Sequence, residues 1–124
     1  MRRWLAITAV IEAATGLALM AVPAVVVWLL LGGELSGAGI PLGRVTGLSL
    51  LSLGIACWPG RAPIGYTAPT LRAMLTYNSL VTVYLLCLGI RGEWVGLLLW
   101  PAAALHGILS LLLVRQWRVG DIAQ

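Results

Sequence analysis

From Trp4 to Leu31 the chain carries a single charged residue, Glu12. An apolar run of that length is what a helix needs to cross the ~30 Å hydrocarbon core of a bilayer at ~1.5 Å per residue. Three further apolar runs follow, bounded by Gly, Pro and Arg. The spans expected from these runs are about residues 4–31, 42–58, 71–89 and 94–114. Composition points the same way: 60% of the 124 residues are hydrophobic and 10% charged, whereas a soluble domain is about a quarter charged. The mean hydropathy is +0.99. The expected fold is all-α: a polytopic membrane protein, an antiparallel four-transmembrane-helix bundle, with residues 1–124 forming one membrane domain.

The first run is longer than the core requires, so its helix must tilt, extend past the interface or bend at Pro23. The start, MRRWLAITAV, has the layout of a signal peptide, but the apolar run is too long and Glu12 breaks it. It is read as a first membrane helix that is kept. The IRGE connection makes the last two helices antiparallel neighbours. Pro101 lies near the start of the fourth span, where it frees the carbonyl of Leu97 and predicts a kink.

The formal charge is +4 and all eight basic residues are arginine. A nucleic-acid reading fails, because the arginines stand singly or in pairs between apolar runs, as markers of helix ends do in membranes. Arg2, Arg3, Arg61, Arg72, Arg115 and Arg118 fall on one side of the expected topology. Arg44 and Arg91 fall on the other, each near a glutamate, Glu34 or Glu93. The bias places both termini in the cytoplasm, in a bacterial inner membrane. Trp4, Trp58 and Trp117 then mark inner ends and Trp28 and Trp94 outer ends, with Trp100 inside a span.

Measured from the cytoplasmic side, Glu12 lies eight residues above Trp4, ~12 Å deep. Asn78 on the third span reaches ~10 Å and His106 on the fourth ~12 Å. The second span offers Ser52 and Ser49 at similar levels. Polar neighbours at spacings of three and four share the face of each: Thr8 and Thr15 with Glu12, Thr82 with Asn78, Ser110 with His106, Thr46 with Ser49 and Ser52. A polar stripe in lipid is expected to turn inward. The expected intramembrane polar layer is therefore Glu12, Ser49, Ser52, Tyr77, Asn78 and His106, serving binding or structure. A close Glu12–His106 pair would favour the charged forms of both groups, whereas burial favours the neutral forms.

Gly43 and Gly47 form a GxxxG pair and, with Gly54, a small face for close helix packing, within the chain or in a dimer. Cys57 and Cys87 lie at opposite ends of their spans, too far apart for a disulfide or a shared metal. There is no nucleotide-binding loop, HExxH, CxxC or GxSxG, and no aspartate before Asp121. Hydrolase and metalloenzyme chemistry have almost nothing to work with. Haem ligation by paired histidines would need a second copy of the chain, since there is one His.

The first helix, with its lone carboxylate in AVIEAATGLALM, resembles that of the small multidrug resistance transporters. That family has four helices and one membrane-embedded glutamate that exchanges protons for a cationic drug. The resemblance covers one helix of four and implies the exchange role for Glu12. The segments IEAATGLALM, RVTGLSLLSLGIACW, LTYN and LLWPAAALHGILSLLL resemble small bacterial four-helix membrane proteins of unknown function, which implies the fold and no activity.

Three functional readings follow. The first is a non-enzymatic accessory or structural subunit of a larger membrane assembly, its partners the lipid bilayer and other membrane subunits or further copies of the chain. The second is a small proton-coupled transporter using Glu12. The third is a bundle that binds a lipophilic cofactor, quinone or haem.

Overall fold

Four prolines set where the helices begin. The structure, a computed structural model, describes residues 3–59 and 67–122. Arg2 and Arg61 of the arginine pattern lie outside the described residues. Five helices occur in it: α1 (Arg3–Ala21), α2 (Pro23–Leu31), α3 (Gly39–Ala56), α4 (Thr67–Arg91) and α5 (Leu99–Ile122). Pro23 is the first residue of α2, and Pro41, Pro69 and Pro101 each fall in the first turn of their helix. A first-turn N–H has no partner inside its helix, so proline costs nothing there and its fixed φ favours the start.

The first run is therefore two helices. Val22 leaves the helical region, at φ −136°, as a residue preceding proline tends to do. Of the options open to an over-long span, the break at Pro23 is the one taken. Pro101 also differs from expectation. Helix α5 starts at Leu99, so Pro101 opens it instead of kinking it. Trp100, expected inside a span, stands in that same first turn.

Among the described residues four helices are long and apolar enough to cross a membrane: α1, α3, most of α4 from Ala68 to Arg91, and α5 from Leu99 to Val119. Short α2 ends on Gly32 in the left-handed region, φ +72°, whose N–H caps the Trp28 carbonyl at 2.8 Å. The next two carbonyls are satisfied from elsewhere in the chain. Leu98 donates to the Leu29 oxygen at 2.8 Å and Gly96 to the Leu30 oxygen at 3.1 Å. The turn before α5 thus clasps the end of α2 and fills valences a helix end leaves open.

The helices pair as α1 with α3 and α4 with α5. Along α3 from Gly43 to Gly54, the neighbours run from Pro23 through Met20 and Gly16 back to Ala9, so α1 and α3 run in opposite directions. Along α4 from Ser79 to Gly89, the neighbours run from Ser110 through Gly107 to Trp100, which gives α4 and α5 the same relation. At its glycines the α1–α3 seam brings backbone against backbone. A Cβ on Gly47 would lie 2.6 Å from the Gly16 oxygen, and one on Gly54 2.6 Å from the Ala9 oxygen. Gly43, Gly47 and Gly54 thus pack within the chain.

One end of the molecule holds a continuous apolar floor: Leu5 and Ala9 from α1, Cys57 following α3, Leu71 and Met74 from α4, and Leu113 from α5. The starts of α1 and α4 meet the ends of α3 and α5 there. The polar cluster sits directly above this floor.

Candidate functional site: a closed polar cluster

Leu5, Thr8, Ala9, Glu12, Gly16 and Leu19 form the buried stripe of α1. Helical spacing thus carries Glu12 inward with the apolar residues around it. It is 1% exposed, and Thr8 and Asn78 are fully buried. Asn78 stands one turn above Met74 of the floor, and His106 faces it from α5.

The geometry fixes how the amide and the imidazole are oriented. Asn78 Nδ2 donates to the Met74 carbonyl at 2.9 Å, which turns Oδ1 toward α5. His106 Nδ1 lies 2.8 Å from that oxygen. An amide oxygen only accepts, so Nδ1 carries the proton and donates. In the neutral ring Nε2 is then the basic nitrogen. Tyr77 meets the imidazole edge to face, with centroids 6.0 Å apart and planes at 79°, and its hydroxyl lies near the Glu12 carboxyl. His106 Nδ1 is also 3.8 Å from Glu12 Oε1, beyond hydrogen-bond range. Oε1 is buried without a partner. Three helices, α1, α4 and α5, are thereby keyed together through four side chains.

Of the six residues expected in the layer, the structure brings Glu12, Tyr77, Asn78 and His106 together. Ser49 and Ser52 do not join them; both are exposed. Their hydroxyls donate to the carbonyls four residues back, of Val45 at 3.0 Å and Leu48 at 2.8 Å. Thr46 does the same to Leu42 at 2.9 Å. The inward face of α3 belongs to Gly47, Leu50 and Gly54, and the serines lie on the far side. A hydroxyl bonded to its own helix needs no interior partner, so the glycines, which let backbones touch, decide which way α3 faces.

The same back-bonding occupies Thr8 at 2.7 Å from the Trp4 carbonyl and Thr15 at 2.8 Å from that of Ile11. It also occupies Thr82 toward Asn78 and Ser110 toward His106. Sequence reasoning missed Ser79, whose hydroxyl reaches Ser110 across α4 and α5 at 3.5 Å. Its place one residue after Asn78, rather than three or four, hid it from the face-sharing rule.

Chemically the cluster offers one carboxyl with an open oxygen, one imidazole with Nε2 uncommitted to Asn78, and a phenol between them. Among the described residues no group of three or more His, Cys, Asp or Glu side chains could hold a metal ion. Comparisons with family models, curated proteins and solved structures returned no match.

Proposed function

We propose that this is a non-enzymatic integral protein of a bacterial inner membrane, crossing it four times as an antiparallel bundle with both termini in the cytoplasm, and that it serves as an accessory subunit of a larger membrane assembly. The observation that carries this reading is the outward face of α3. Thr46, Ser49 and Ser52 are exposed there at spacings of three, on a helix whose glycine face is already spent on α1. Lipid gains nothing from such a stripe, whereas small and hydroxyl side chains are the usual material of helix–helix contacts in membranes. Exposed Val45, Leu48 and Ile55 flank it.

Tryptophan supports the placement. Trp4 and Trp58 are exposed at one end, Trp28, Trp94 and Trp100 at the other, as in interfacial belts. The test is a photocrosslinking residue in place of Ser49 or Ser52 in cells, with Leu97 as the control site. Discrete protein adducts at the two serine positions and none at Leu97 are expected. Adducts to lipid alone at all three would refute the subunit reading. Reporter fusions at Gly37 and at the C-terminus test the topology, with a periplasmic C-terminus as the refuting result.

A second reading rests on Glu12 Oε1. A carboxyl oxygen buried without a partner, 3.8 Å from an imidazole, is a place where a proton is taken up or released, the role that likeness to the drug transporters implies. Proton uptake by reconstituted vesicles that vanishes in Glu12→Gln would favour it over the first.

A further inference from the structure

A second polar feature lies away from the cluster, where the start of α1 meets the end of α5. Arg3, Trp4, Leu112, Arg115, Gln116 and Val119 line a recess of about 220 Å³. Arg3 and Arg115 come from different helices, and among the described residues neither has an ion-pair or hydrogen-bond partner. Arg72, at the same end of the molecule, differs: its guanidinium lies 5.3 Å from the centroid of the Trp117 ring. Gln116 Oε1 is buried there with no partner among the described residues; it only accepts, so it calls for a donor and takes no part in binding an anion.

We propose that this recess binds the phosphate headgroup of an anionic phospholipid. Two arginines lining one recess from separate helices suit a phosphate, which accepts paired N–H donors from a guanidinium. The recess lies at the ends of two spanning segments, Arg3–Ala21 and Leu99–Val119, the depth at which headgroups lie. Trp4 supplies an amphipathic wall at that level, and Leu112 and Val119 an apolar surface along which an acyl chain can run. A free phosphate would gain nothing from Trp4, Leu112 or Val119, so the lining selects the lipid over the ion. The proposal rests on the membrane reading above.

Membrane integration is checked first, by resistance of the cell-membrane fraction to alkaline carbonate extraction; release at that step would sink the membrane reading itself. The purified chain in neutral detergent is then titrated with phosphatidylglycerol, phosphatidylcholine or inorganic phosphate. Thermal stability and lipid adducts in native mass spectrometry are the readouts. Phosphatidylglycerol is expected to stabilise and to be retained over phosphatidylcholine. Paired replacement R3Q/R115Q should cut that preference by about thirtyfold, as two basic groups at a headgroup surface imply. The outer-end pair R44Q/R91Q should leave it unchanged, and R3K/R115K should restore part of it, which separates lost charge from lost folding. Equal retention of both lipids, an unchanged preference in R3Q/R115Q, or full stabilisation by inorganic phosphate alone would each overturn the proposal.

Discussion

Replacing Gly47 by alanine tests whether backbone contact holds α3 to α1. The new Cβ would lie 2.6 Å from the Gly16 oxygen and 2.9 Å from the Met20 nitrogen. Ordinary contact begins near 3.4 Å, so the helices must part by 3.4 − 2.6, about 0.8 Å. Neither neighbour is a flexible side chain that could swing away. Overpacking of this kind costs ~1–3 kcal/mol, and the better helix propensity of alanine returns up to ~1 kcal/mol. A net loss of about 1–2 kcal/mol is expected. Gly54→Ala faces the Ala9 oxygen at the same 2.6 Å and should cost as much. One outward shift of α3 relieves both clashes, so the double variant should cost less than the sum of the singles. Gly107→Ala is the control: its Cβ would meet only Thr82 Cγ2 at 3.5 Å, and it should be neutral or stabilising. Reversible unfolding in mixed micelles, followed by tryptophan fluorescence, measures all four. A Gly47→Ala protein as stable as Gly107→Ala, or strictly additive losses, would refute the seam.

Glu12→Gln keeps an acceptor for Tyr77 and should unfold within about 0.5 kcal/mol of the parent, whereas Glu12→Ala should cost ~1–3 kcal/mol by stranding buried partners; equal losses in the same unfolding assay would mean the titratable group itself matters to the fold. Asn78→Leu removes the acceptor of His106 Nδ1–H, so ¹⁵N NMR of labelled histidine should show an Nδ1–H tautomer in the parent and a mixture in the variant. Gly96→Ala drives a methyl into the backbone of Leu29 and Leu30; hydrogen exchange should then show lost protection at the Gly96 and Leu98 amides.

The number of long helices was legible because it rests on one strong signal, apolar length without charge. The starts of the second and third spans were read too late and that of the fourth too early, and proline is the reason. Pro41 and Pro69 look like breakers between apolar runs, so the runs after them were taken as the helices, while Pro101 was placed inside its span as a kink. Proline is equally a first-turn residue, and α3, α4 and α5 each begin two residues before theirs. That one rule moves α3 back to Gly39 and α4 back to Thr67. It moves α5 forward to Leu99, since the turn from Gly92 to Leu98 is held by α2 and not by a helix of its own. No local pattern could reveal that clasp, because its donors and acceptors lie more than sixty residues apart in the chain.

The polar cluster was legible for a different reason, and incompletely. Depth and face placed Glu12, Asn78 and His106 together, since a carboxyl, an amide and an imidazole have polar atoms that cannot be satisfied along their own helix. Asn78 shows the limit: Nδ2 finds the Met74 carbonyl locally, but Oδ1 has to look across to α5. Serine and threonine escape the rule. A hydroxyl within reach of the carbonyl four residues back is already paired, and Ser49 and Ser52 are free to face outward. The two kinds of polar residue thus carry opposite information in a membrane helix. Carboxyl, amide and imidazole groups point to the interior of the chain that holds them. Small hydroxyl residues carry no such instruction, and where the glycines have taken the inside, as on α3, they face outward.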